Sequence, residues 1–123
     1  MMAYKGYGVD LLELDYNPFI NQDTYKGLNY NVAKKIQRLR LMILVHSRLY
    51  YKDGISIIQD QDFDSLGYVL KDLQERHPRE SRIIVYYEAF KDWDGTTGYH
   101  LPLTDPWVVR KAEKILDIHR RRV

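Results

Sequence analysis

A mostly α-helical fold with a minor β component follows from three features of the chain. The spacing Val32, Ile36, Leu39, Ile43, His46, Tyr50 holds an i, i+3/i+4 rhythm over 31–51, which sets these side chains on one helix face. A second stripe, Phe63, Leu66, Leu70 and Leu73, stops at Pro78, a residue that ends a helical pattern. A third, Val108, Val109, Ala112, Ile115 and Leu116, follows Asp105 and Pro106, a helix start with an acceptor at the cap and a proline in the first turn. The expected architecture is a helical hairpin plus a C-terminal helix, with an extended N-terminal arm and one short strand or hairpin.

The arm covers 1–30. It carries Gly6, Gly8, Pro18 and Gly27 and the tyrosines 4, 7, 16, 25 and 30, with no sustained periodicity. So aromatic a segment is expected to pack on its own core or on a partner. A single domain spans 31–123, as befits a chain of 123 residues. Within the first helix Leu41, Met42, Leu44 and Val45 widen the apolar surface beyond one stripe, so it should be central and enclosed on several sides. Asp53 and Gly54 supply turn chemistry, a short extended stretch occupies 55–58, and the second helix begins near Asp60, with Val69 broadening its core face. Ile83, Ile84, Val85, Tyr86 and Tyr87 form a β-rich run inside 81–90, readable as one strand or as an extended segment lying on the helices. The stretch 9–14 is its only obvious strand partner. A loop over 91–98 then leads to the last helix.

Apolar residues make up 45% and charged residues 29% of the chain, an ordinary globular balance. Cysteine is absent, which removes disulfides, thiolate chemistry and Cys-based zinc sites. The longest aliphatic run, 41–45, is far too short to cross a bilayer, and no N-terminal segment reads as a signal peptide. A cytoplasmic protein without membrane contact is expected. The oligomeric state is open at this level.

Tyr50, Tyr51, Asp60, Phe63, Asp64, Leu66, His77 and Pro78 match, at their intervals, a pattern of Tyr, His or Tyr, a turn, Asp, two spacers, Tyr-Asp, Leu and a helix closing on His-Pro. The segment 50–78 thereby resembles the N-terminal helical module (module Ia) of bacterial NAD-dependent DNA ligases, which grips the nicotinamide half of NAD. The resemblance implies that Tyr50 stacks on a nicotinamide ring, that Asp60 and Asp64 accept hydrogen bonds from the ribose or amide, and that Tyr51 stands where the ligases often have His. Phe63 departs from the pattern, in which a tyrosine hydroxyl takes part. NAD or NMN is the implied ligand. The K-x-D-G nucleophile, OB-fold and four-cysteine zinc site of a ligase are missing from the sequence, so ligation is excluded and no catalytic role is expected. The run DGTTGYHL over 94–101 looks similar to a segment of small phage proteins that carry the same module, which implies a bacteriophage origin and the host bacterial cytosol.

Other motifs have bland readings beside the sharp ones. Acidic residues at 60 and 64 also suit a helix N-terminus, where they complement the dipole. Asp92-Trp93-Asp94-Gly95-Thr96 spells the D-x-D-G-T of dehalogenase-type phosphotransferases, but too little chain comes after Gly95 to supply the other catalytic residues, and a loop is the simpler reading. Asp60, Asp62 and Asp64 alternate like an EF-hand opening, yet Ser65 and Lys71 stand where glycine and glutamate are required. His46, His77, His100 and His119 lack metal-ligand spacing. Lys34, Lys35, Arg38 and Arg40, with Arg120, Arg121 and Arg122, form two basic clusters, which would read nucleic-acid phosphates only if they converged. Net charge is only +2, so a solvated helix face and a dipole-matched C-terminus explain them as well.

Three functions stay in play. The leading expectation is a non-catalytic phage-type protein that binds a host protein and antagonises a host function such as a CRISPR-type defence nuclease, since tyrosine and arginine favour interface cores. A module binding NAD or NMN is the alternative, and a nucleic-acid-binding accessory protein the third.

Overall fold

The computed structural model describes residues 28–121. Nearly all of the arm 1–30, the strand partner expected at 9–14 and Arg122 lie outside the described residues. Five helices come in order: α1 Tyr30–Tyr51, α2 Asp60–Arg76, α3 Pro78–Ile83, α4 Tyr87–Phe90 and α5 Pro106–Arg121. None is long and apolar enough to cross a membrane among these residues.

Helix α1 is the centre of the molecule, with α2, α3 and α5 packed around it. Its start is fixed by Asn29, whose Oδ1 accepts from the Val32 N–H at 3.1 Å, satisfying one of the donors a helix leaves open at its first turn. The Asn29 N–H in turn donates to Glu80 Oε2 at 2.8 Å, tying the head of α1 to α3. The 41–45 run is wholly buried, as its all-round apolarity requires. Arg48 and Asp53 pair at 3.5 Å at the other end, and Gly54, at φ +68°, takes the left-handed backbone that turns the chain toward α2.

Helix α2 buries Leu66, Gly67 and Leu70, while Val69 points to solvent at 40% exposure. The core face of α2 therefore runs through Gly67 rather than Val69. A Cβ at Gly67 would lie 2.5 Å from the Gly95 carbonyl oxygen, so a backbone segment from the 91–105 loop occupies the space a side chain would fill. Trp93 pins that loop down by donating Nε1–H to the Gly67 carbonyl at 3.0 Å.

No strand forms over 81–90; among the described residues there is none. Pro78 at the first position of α3 and Glu80 in its first turn favour helix initiation, and Arg40 fixes the backbone from Ser81 to Val85. Its guanidinium, fully buried on α1, donates to Ser81 O at 3.0 Å, Ser81 Oγ at 2.7 Å, Ile84 O at 3.0 Å, Val85 O at 3.2 Å and Gln74 Oε1 at 2.8 Å. Every N–H of the fork is matched. The carbonyls that a sheet ladder would use are committed to one side chain, and the β-branched residues serve as packing instead. Tyr86 then adopts φ +67° ahead of α4. Its hydroxyl donates to Asp105 Oδ1 at 2.9 Å, and the same oxygen accepts the Trp107 N–H at 2.9 Å. Asp105 thus starts α5 as the sequence predicts and ties it to α4. Helix α5 lays Val108, Ala112, Ile115 and Leu116 into the core, with Val109 half-buried.

Candidate functional site

The bend between α1 and α2 and the loop around Thr96 enclose a cleft of ≈ 390 Å³, a size suited to a small ligand. Tyr50, Tyr51, Asp60, Phe63 and Asp64 all line it. The reason is geometric. Tyr50 and Tyr51 close α1 and the Gly54 turn reverses the chain. Asp60, Phe63 and Asp64, at i, i+3 and i+4 on the first turns of α2, then face back toward the tyrosines.

Each side chain has a distinct setting. Tyr50 is 54% exposed, and its ring meets that of Tyr51 edge to face at 4.9 Å, a preferred aromatic arrangement. Tyr51 is half-buried; it makes a second edge contact with Tyr99 at 5.4 Å and shares a 2.7 Å hydrogen bond between its hydroxyl and Thr97 Oγ1. Phe63 packs against the core as an apolar wall. Asp60 and Asp64 are exposed at the rim. Ser47 lines the cleft with a buried hydroxyl that has no hydrogen-bond partner among the described residues. Beside it, burial pushes the His46 imidazole down to about 3, so this ring is neutral at physiological pH.

The sequence pointed to five of these residues and missed Ser47, Thr96 and Thr97. The loop that carries the threonines folds onto α1 because Gly98 has no side chain: a Cβ there would fall 1.9 Å from Ser47 Oγ. Within the loop, Asp94 Oδ1 accepts the Thr96 N–H at 2.9 Å and hydroxyl at 2.7 Å. Those bonds hold the Asp94 carboxyl below its usual range, with the Thr96 hydroxyl the larger influence. Gly95, at φ +91°, completes the turn. The D-x-D-G-T lookalike is thus a turn, as its simpler reading required.

Of the seven basic residues in the two clusters, Arg40 drops out and Arg122 lies outside the described residues. Arg40 is withdrawn into the core and is unavailable to a phosphate. Burial lowers its guanidinium to about 10, with Tyr87 acting in the opposite direction. Lys35 and Arg38 are exposed, Lys34 lies 5.4 Å over the Tyr30 ring, and Arg121 pairs with Asp117 while Arg120 is exposed. A second hollow of ≈ 440 Å³ between α2, α3 and the loop holds Lys71 and Lys91, both already engaged, by Glu75 at 2.6 Å and Glu88 at 3.1 Å. No group of three or more His, Asp or Glu able to hold a metal occurs among the described residues.

No protein-family model matches the chain, and no curated protein or solved structure matches it.

Proposed function

We propose that this protein is a non-catalytic binding module whose cleft takes the nicotinamide end of NMN or NAD. The observation that carries this reading is the meeting of Tyr50, Tyr51, Asp60, Phe63 and Asp64 around one cavity of ligand size, the five positions that resemble the nicotinamide-gripping residues of the ligases. The open face of Tyr50 offers a stacking surface, Phe63 an apolar wall, and Asp60 and Asp64 offer acceptors for amide N–H or ribose hydroxyl groups. Phe63 lacks the phenolic hydroxyl of the ligase pattern, a loss of about 0.5 to 1.5 kcal/mol for one hydrogen bond, so binding is expected to be weaker than in a ligase module.

Thermal unfolding in the presence of NMN or NAD tests it. At a concentration about 100 times Kd the ligand adds ~2.7 kcal/mol to stability, and the melting temperature should rise by several degrees. Tyr50→Ala and Asp60→Ala should each abolish the rise. No rise at millimolar ligand would overturn the reading.

A second reading, an interaction protein that antagonises a host function such as a CRISPR-type defence nuclease, is favoured by the exposed rings of Tyr50, Tyr68 and Tyr99, at 54%, 57% and 70%, since tyrosine is enriched at interface hot spots. It predicts a host protein that co-purifies with the wild-type chain and is lost with Tyr99→Ser, with no response to nicotinamide nucleotides.

A further inference from the structure

We propose that the end of the bundle opposite the cleft is a phosphate-reading surface, which seats the backbone of a nucleic-acid duplex without reading its bases. This surface is separate from the cleft and does not depend on the nicotinamide reading.

Three helices bring their cations to that end. Lys34, Lys35 and Arg38 lie in the N-terminal half of α1. Helix α3 is fastened beside them by the Asn29 N–H on Glu80 Oε2 at 2.8 Å and by Arg40 on the Ser81 carbonyl at 3.0 Å, which sets Arg79 and Arg82 next to the head of α1. Helix α5 contributes through its direction. The chain entering it is held at the other end of α1, where Arg48 Nη1 donates to the Leu103 carbonyl at 3.0 Å, and α1 is its main partner among the helices. A helix of 16 residues extends for about 24 Å. From that start it stays on α1, and buries Ile115 and Leu116 near its far end, only by running back toward Tyr30. Arg120 therefore finishes near the head of α1. Lys34 lies about 40° around α1 from Arg48, on the side that α5 follows. Basic groups far apart in sequence thus converge.

These cations are open to a ligand. Lys35, Arg38, Arg79, Arg82 and Arg120 are all exposed, and none of them is in an ion pair among the described residues. Lys34 rests on the Tyr30 ring, which leaves its charge uncancelled. The acids nearby are mostly committed: Glu80 is buried on the Asn29 N–H, and Asp117 holds Arg121. Glu113, two turns before Arg120, has Lys114 next to it. Other carboxylates gather at the cleft end, with Asp53 after α1 and Asp60, Asp62 and Asp64 opening α2. A net charge of +2 conceals this separation, which draws a phosphate chain to one pole and repels it from the other. Unpaired bases need open aromatic faces on which to stack, and Tyr30 is half-buried beneath Lys34. The open rings of Tyr50 and Tyr99 belong to the cleft. A surface with cations and no stacking platform suits a duplex, whose bases are already stacked.

Fluorescence anisotropy of the full chain with a labelled DNA duplex of about 20 base pairs, the matching RNA duplex and the single strand tests this. Binding of either duplex is expected at about 50 mM salt, with a slope of log K against log salt near −5 for six phosphate contacts. The triple change Lys35→Gln, Arg79→Gln and Arg120→Gln takes one exposed cation from each helix and should bring the slope to about −3. The triple change Lys52→Gln, Lys71→Gln and Lys91→Gln alters net charge equally but elsewhere, and should keep affinity within about threefold of the wild type. Circular dichroism confirms that both variants are folded. No binding of either duplex at that salt, or equal weakening by the two triple changes, overturns the proposal. So does a single strand bound about tenfold tighter than the duplexes, or retention on phosphatidylserine vesicles with no duplex bound.

Discussion

Arg40 is the side chain on which the middle of the molecule depends. A guanidinium sealed from water is held by neutral acceptors alone, two on Ser81 and one each on Ile84, Val85 and Gln74, with the Phe90 ring 5.9 Å away. Removing such a group leaves several buried carbonyls unpaired, each a loss of about 1 to 3 kcal/mol. Lysine keeps the charge but has a point-like head that cannot reproduce the planar fork. Arg40→Lys is expected to destabilise the fold by roughly 3 kcal/mol or more, read as a lower urea midpoint. A midpoint within error of the wild type would show that the fork is dispensable. Gly67 is the converse case, a position where one added methyl is harmful. Alanine favours a helix interior by about 1 kcal/mol over glycine, yet here its Cβ would press on the Gly95 carbonyl at 2.5 Å. Gly67→Ala should therefore lower stability by about 1 to 3 kcal/mol, the cost of overpacking, and a melting temperature above that of the wild type would refute the close approach.

At the level of elements, local chemistry was legible in the sequence and long-range commitment was not. Helix α1 declared itself by a regular apolar period and by an aliphatic run too broad for one face. The Asp53-Gly54 turn, the acidic start of α2 and the Asp105-Pro106 start of α5 all rest on neighbours a few residues apart. The segment 81–90 does not. Its β-branched residues favour a strand in isolation, and what overrides them is a side chain 41 to 45 positions earlier in the chain. For the same reason the Trp93 anchor on Gly67, 26 positions away, left no trace in any local pattern. The cleft divides along the same line: Asp60, Phe63 and Asp64 share a helix face and could be grouped from spacing, and the resemblance added Tyr50 and Tyr51. Thr97 meets Tyr51 only because the loop folds back over 46 residues of chain.

For the whole molecule, the buried charges set how stability varies with pH. The His46 imidazole has an ordinary value of 6.5 and is pushed down to about 3 by burial. As pH falls below 6.5 the unfolded chain binds a proton that the folded chain refuses, so stability declines through that window by up to about 1.4 kcal/mol per pH unit and levels off below the folded value. Glu80 acts lower. The Asn29 N–H holds its carboxyl below the ordinary 4.5, and the stability this provides is lost only as pH drops beneath that value. Between pH 6.5 and 4.5 the slope therefore belongs mainly to His46, and His46→Gln should flatten it in chemical denaturation series. A slope unchanged in that variant would mean that the imidazole is charged or solvated in the folded state.

The wall of the cleft is fastened at two glycines, with the Gly95 carbonyl over Gly67 and Gly98 against Ser47. A wall stapled on both sides cannot swing like a door. For a ligand of the proposed kind the berth is thus already shaped, and little ordering of the backbone would accompany its arrival.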